Sequence, residues 1–204
     1  HEKDRKNNHI CIFAKNEKGR RAINKALSEA NETGYYYKAR LDKELILSLP
    51  PQDVFITSAC IGFWGYGIKE TFEFVRELHN RFGENFMLEV QYHNTDSQKT
   101  LNKAILKMAN TLGIGFIMGC DSHYITPEQS YDREYILEYK HIKYGDEDGW
   151  FMDYPDTVTA YERFKKQGVL NDLEILNALN NTNIFLEFED IVLNRDIKLP
   201  TLGS

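Results

Sequence analysis

An aspartate and a histidine two residues apart, where an apolar run meets a helix start, mark the first place in this sequence where chemistry could occur. The run Gly115-Phe116-Ile117-Met118 continues into Gly119-Cys120-Asp121-Ser122-His123-Tyr124. Thr126-Pro127-Glu128 follows, with an N-cap residue, proline at the first helical position and an acidic first turn. Asp121 and His123 therefore sit where a strand ends. In folds that alternate strands and helices, binding and catalytic groups gather at that end of the sheet or barrel. A carboxylate and an imidazole placed there can share one metal ion as a hard oxygen and a borderline nitrogen donor. The same tripeptide also fits a plain turn, with Asp121 satisfying its own backbone and His123 on the surface.

The elements that must position these residues read as a recurrence of strand and helix. His9 to Ala14 is a strand, Asn16 caps a helix with Ala22, Ile23, Ala26 and Leu27 on one face, and Gly34 stops it. An extended loop, Tyr35 to Leu41, leads to a short helix capped by Asp42 and ended by Pro50-Pro51. The second strand, Asp53 to Ala59, ends at Cys60. After the turn Gly62-Phe63-Trp64-Gly65-Tyr66-Gly67 comes a helix with Phe72, Val75 and Leu78 at helical spacing, stopped near Gly83. The third strand, Phe86 to Tyr92, ends at His93. Asp96 or Ser97 then caps a helix whose buried stripe is Leu101, Ala104, Ile105, Met108 and Leu112, and Gly113 stops it before the fourth strand. Four such units predict a parallel α/β domain with right-handed crossovers, either an open sheet or part of a barrel. Beyond residue 142 the acidic turn Gly145 to Trp150 precedes short helices near Val158 to Gln167 and Leu173 to Leu179. Ile191 to Ser204 reads as an extended linker.

With the strands side by side, Cys60, Glu89, His93, Asp121 and His123 come from three successive strand ends on one face. Sulfur, imidazole and carboxylate converging there suit zinc, manganese or iron. Each residue also has a plainer reading: Cys60 as a small buried hydrophobe, Glu89 as an exposed strand residue, His93 as a turn residue feeding the helix cap. Cys11 and Cys120 lie within apolar strands and read as core. His79 and His141 fall at helix ends, where imidazole suits the dipole.

Bulk properties narrow the class. A chain of 204 residues, 42% hydrophobic and 27% charged, can bury the core of one sizeable globular domain. A net charge of −6 argues against nucleic-acid binding by bulk electrostatics. No apolar stretch reaches the length of a membrane span, and no secretory signal is expected. Three cysteines, Cys11, Cys60 and Cys120, form no paired spacing, so a reducing, cytoplasmic location is expected. The chain opens on His1-Glu2-Lys3 without Met, which reads as processing or as a piece of something longer.

Taken together, five blocks carry a resemblance. They are His9-Ile10-Cys11-Ile12-Phe13-Ala14-Lys15-Asn16-Glu17-Lys18-Gly19, Gly34-Tyr35-Tyr36-Tyr37-Lys38-Ala39-Arg40-Leu41-Asp42, Ser58-Ala59-Cys60, Leu88-Glu89-Val90-Gln91-Tyr92-His93 and Asp121-Ser122-His123-Tyr124. In order and approximate spacing the chain resembles the PHP domain of the bacterial or phage DNA polymerase III alpha subunit. That family has a strand ending in Ala-Lys-Asn, a Lys-Pro-Arg-Ile-Asp loop, Ser-Gly-Cys, Glu-Leu-Gln and Asn-Asp-Val-His-Tyr. Asn180-Asn181-Thr182 and Leu199-Pro200 also look like the family's Asn-Thr helix and the Leu-Pro leading toward its palm.

The resemblance implies part of a distorted PHP-type (β/α) barrel over residues 1–142, helical C-terminal parts over 143–190 and a linker over 191–204 toward a polymerase domain. It implies His9, Cys60, Asp121 and His123 as metal ligands for zinc or manganese, with Asp121 and His123 catalytic. Glu89 and His93 match a block near the site, and Lys38 and Arg40 match a loop where a phosphate partner is plausible. Metals would polarise phosphoryl oxygens and supply the nucleophile of a phosphoesterase or 3′ to 5′ exonuclease centre. The family's site also draws on an N-terminal His-x-His and a following His and Glu that this chain lacks, so an incomplete, inactive site is expected. Ala39 replaces the family's Pro, Gly119-Cys120 replaces the usual pair before the Asp, and the Gly62 to Gly67 loop is atypical. Expected partners are DNA through the full-length polymerase, other replisome subunits and, for an open barrel edge, a second copy of the fragment; no membrane is expected. Two other readings are a free-standing PHP phosphoesterase, against which the Asn180 to Pro200 tail speaks, and a metal-free PHP scaffold that binds a proofreading partner.

Overall fold

A computed structural model describes residues 7–144 and 148–193. Its first element is a strand, β1 (Cys11–Ala14), followed by helix α1 (Glu17–Glu32), which begins where the Asn16 side chain accepts the backbone N–H of Gly19. Asp42 caps the short α2 (Lys43–Ser48) in the same way, through the Leu45 N–H. Strand β2 (Val54–Thr57) leads through a 3-10 turn (Ile61–Trp64) to α3 (Ile68–Phe82), and β3 (Phe86–Gln91) leads to α4 (Asp96–Leu112). The cap of α4 is Thr95, not Asp96 or Ser97: its hydroxyl accepts the Gln98 N–H, so the helix starts one residue earlier than its carboxylate suggested. Gly113 stops α4 in the left-handed conformation, and β4 (Phe116–Gly119) follows. Thr126 and Gln129 then form a capping box ahead of α5 (Ser130–Tyr139), and α6 (Thr157–Gln167) and α7 (Asp172–Asn180) complete the helices.

The four strands form one sheet in the order β1-β2-β3-β4. β2, β3 and β4 run parallel, as a strand and helix recurrence requires, with Ile56 opposite Phe86 and Gln91 opposite Gly119. β1 does not. It pairs with β2 antiparallel, Cys11 opposite Thr57 and Ala14 opposite Val54, which corrects the expectation of four parallel units. One crossing helix returns the chain for a parallel pair. Between β1 and β2 the chain inserts the turn after Gly34 and then α2 as well as α1, so β2 starts from the other end of the sheet. The outcome is a mixed α/β sheet, and its four described strands do not close into a barrel.

Burial follows the apolar pattern. Val54 and Ile56 of β2 and Leu88 and Val90 of β3 are solvent-free, packed in one core with Val75 and Leu78 of α3 and Leu101 and Ile105 of α4, while the equally buried Phe55 packs against Phe13, Phe185 and Phe188. Phe164 of α6 and Ile175 and Ala178 of α7 join that same core, and α7 lies against β4. Residues 191–193 carry neither helix nor strand; the rest of the expected linker, Leu199-Pro200 and the acidic stretch 145–147 lie outside the described residues. Among the described residues no helix is long and apolar enough to cross a membrane.

Candidate metal centre

The antiparallel β1 has a direct consequence for the site. His9 precedes β1, so reversing that strand brings His9 to the edge where β2, β3 and β4 end. There its N–H donates to the Gly62 carbonyl at 3.2 Å and its Nδ1 lies 3.4 Å from Cys60 Sγ. Gly62 has to be small, because a Cβ on it would stand 2.7 Å from His9 Nδ1. On the other side, past β4, Asp121 Oδ1 is 3.9 Å from His123 Nε2. Both flanks are conformationally unusual: Ala59 beside Cys60 has φ +49° and Asp121 has φ +46°, a left-handed region that residues with a Cβ seldom adopt.

Between the two pairs lies a polar floor built on the strands. Glu89 of β3 accepts from Thr57 Oγ1 at 2.9 Å and from Gln91 Nε2 at 2.9 Å, spanning β2 and β3. It occupies the space that a side chain on Gly119 would need, since a Cβ there would fall 1.8 Å from Glu89 Oε1. Glu89 is therefore not the exposed strand residue that one reading of the sequence allowed; it is half-buried. Burial pushes its carboxyl above the ordinary value, the Gln91 and Thr57 hydrogen bonds oppose this, and the Asp121 charge adds to it. Cys60 shows the same pattern, raised by burial, lowered by the hydrogen bond from the Gly62 backbone and raised again by Asp121 and Glu89.

Cys11 also faces this floor. Assigned to the core from its apolar strand, it is half-buried opposite Thr57, and burial lifts its thiol to about 11, with the Glu89 charge adding and the Thr57 hydroxyl opposing. No sequence pattern marked it, because which face of β1 it occupies depends on the antiparallel register. Cys120, just after β4, does pack on the core. His93 is fully buried instead of serving a helix cap; its Nδ1 accepts the Phe151 N–H at 3.1 Å and its ring lies 4.6 Å from Trp150. Arg40 is engaged in its own loop, donating to the Tyr36 carbonyl at 2.9 Å and lying over the Tyr36 ring, and Lys38 is exposed in the same turn. Next to His123 a cavity of about 430 Å³ opens between the 123–125 loop and α5, lined also by Arg133, Ile136 and Tyr144.

In chemistry the donor set suits a divalent ion: imidazole, thiol and carboxylate, with the Asp121 and Glu89 charges pushing the Cys60 thiol up in a way that a bound cation would reverse. In separation it forms two pairs. Among the described residues no three His, Cys, Asp or Glu groups are gathered into a set that could hold an ion by themselves.

Comparison with known proteins gives the relationship. The chain is 29% identical over 139 residues to the DNA polymerase III subunit alpha of Aquifex aeolicus and 31% identical over 135 residues to that of Treponema pallidum. The chain is similar to DNA polymerase III alpha subunits. With that of Saccharopolyspora erythraea the similarity is 25% over 202 residues, covering 90% of this chain, against 66% and 63% for the other two. The match spans only 12 to 16% of the length of these polymerase subunits. No family model matches the chain.

Proposed function

We propose that this chain is a segment of a replicative DNA polymerase III alpha subunit, comprising most of its PHP domain, and that the strand-end cleft is a metal-dependent phosphoesterase-type centre. The observation that carries the reading is the meeting of His9 with Cys60 and of Asp121 with His123 at one sheet edge, in a chain similar to polymerase III alpha subunits. His9, Cys60, Asp121 and His123 would hold zinc or manganese. Such an ion supplies charge that polarises a phosphoryl oxygen and activates water. Glu89, fixed by Thr57 and Gln91, holds a carboxyl on the floor between the pairs, and Lys38 and Arg40 stand as phosphate contacts from a neighbouring loop. DNA and replisome subunits are the partners of the whole polymerase in this reading, with nucleotide addition carried out by a palm domain, and the chain works in the cytoplasm. Little hydrolysis is expected of the chain alone, because its donors form two separate pairs. Metal content after loading with zinc or manganese and desalting tests this: wild type should retain metal and His123→Ala should retain far less. Equal retention in both, or none in wild type, would exclude these ligands.

A further inference from the structure

The segment 149–154 has no helix or strand of its own, yet it runs across the ends of β3 and β4 and is fastened to both. At the β3 end the Asn94 N–H donates to the Gly149 carbonyl at 2.8 Å, and the Phe151 N–H donates to His93 Nδ1. At the β4 end the fastening is entirely to the loop that carries the candidate ligands. The His123 and Tyr124 N–H groups donate to the Met152 carbonyl at 2.8 and 3.3 Å, Ser122 Oγ donates to the Asp153 carbonyl at 2.9 Å, and the Tyr154 N–H donates to the Ile125 carbonyl at 3.1 Å. Arg163 of α6 grips the segment from beneath, donating to Asp153 Oδ2 at 2.7 Å and stacking over Phe151.

We propose that His93 is a positioning residue for the Asp121 to His123 loop, acting through this strap. The strap is the hydrogen-bond partner of the His123 backbone, and one residue before that bond the His93 imidazole, just past β3, accepts from its Phe151 N–H. His93 can do this because it is rigid and neutral. Its ring is walled in by Tyr92 and Trp150, its own carbonyl accepts from Gln167 Nε2 at 2.6 Å, and burial holds its pKa down at about 4, with Asp121 opposing and Arg163 and His123 adding to the depression. With Nδ1 committed as acceptor, the proton sits on Nε2, a buried donor with no hydrogen-bond partner among the described residues. Losing the Nδ1 acceptor leaves the Phe151 N–H unpaired and frees the strap, and with it the backbone anchor of His123. The inference rests on the metal-centre reading for its functional meaning, while its structural content stands apart from it.

The test is amide hydrogen exchange on the full chain, without metal, for His93→Asn and His93→Gln. Asparagine places its oxygen close to the Nδ1 position and glutamine close to Nε2, so the two polar variants differ in the acceptor that matters. The expected result is near wild-type protection of the Phe151, His123 and Tyr124 amides in His93→Asn, and exchange about tenfold faster at those amides in His93→Gln, with the β3 amide of Leu88 unchanged. Equal rates in the two variants would overturn the proposal. Failure of wild type to bind metal would instead count against the metal-centre reading and leave the exchange result standing.

Discussion

Ala59 and Asp121 hold left-handed backbone on either flank of the candidate site, and only Asp121 carries a side chain proposed as a ligand. Ala59 stands where the resembled family has glycine, so its Cβ carries strain without a compensating contact to a ligand. Ala59→Gly should therefore raise stability by about 1 kcal/mol in urea unfolding, the strain removed exceeding the entropy glycine adds to the unfolded chain. Gly119 behaves oppositely. Gly119→Ala forces its Cβ into Glu89 and should cost about 1–3 kcal/mol, a cost that shrinks in a Glu89→Ala background if the clash is the cause. At this scale the sequence was partly legible. The placement of Asp121, His123 and Cys60 at strand ends could be read from the sequence, whereas the position of Cys11 and the burial of His93 could not, since both depend on neighbours distant in sequence: Thr57 across an antiparallel pair and Phe151 on a strap without periodicity.

Helices and strands announced themselves well where caps and stops are chemical. Asn16, Asp42, Gly83 and Gly113 all bound their helices as their side chains, or the lack of one, predict. Strand direction carries no such local mark, and β1 shows it: nothing in its four apolar residues says which way it will pair. What joins elements is likewise hidden, and α6 is the clearest case. Gln167 at its end donates to the Gln91 and His93 carbonyls at 2.9 and 2.6 Å and accepts from Asn102 Nδ2 at 2.8 Å, linking α6 to β3 and α4 through buried groups. Gln167→Leu should cost about 2–4 kcal/mol by orphaning these partners, measured by thermal or urea unfolding. A loss below about 0.5 kcal/mol, the level of an ordinary surface change, would show that the link is dispensable.

At the scale of the molecule, one core serves the sheet and the C-terminal helices together, since Phe164, Ile175 and Ala178 are buried with Leu88 and Val90. Phe164→Ala should accordingly lower the stability of the whole domain by about 3–5 kcal/mol in a single transition. Separate transitions for sheet and helices would contradict a shared core. That core holds the strand ends in place, and the antiparallel β1 folds His9 back toward them, so two donor pairs more than 60 residues apart in sequence come to the same sheet edge. The claim that depends most on this is that the two donor pairs serve one metal centre. Manganese titration followed by the NMR signals of the His9 and His123 imidazoles tests it most directly, because the paramagnetic ion broadens whatever lies close to it. The two imidazoles should broaden together, at the same low manganese concentration, and neither should do so in Asp121→Asn. Broadening of one alone, or of neither, would mean that the pairs do not share an ion.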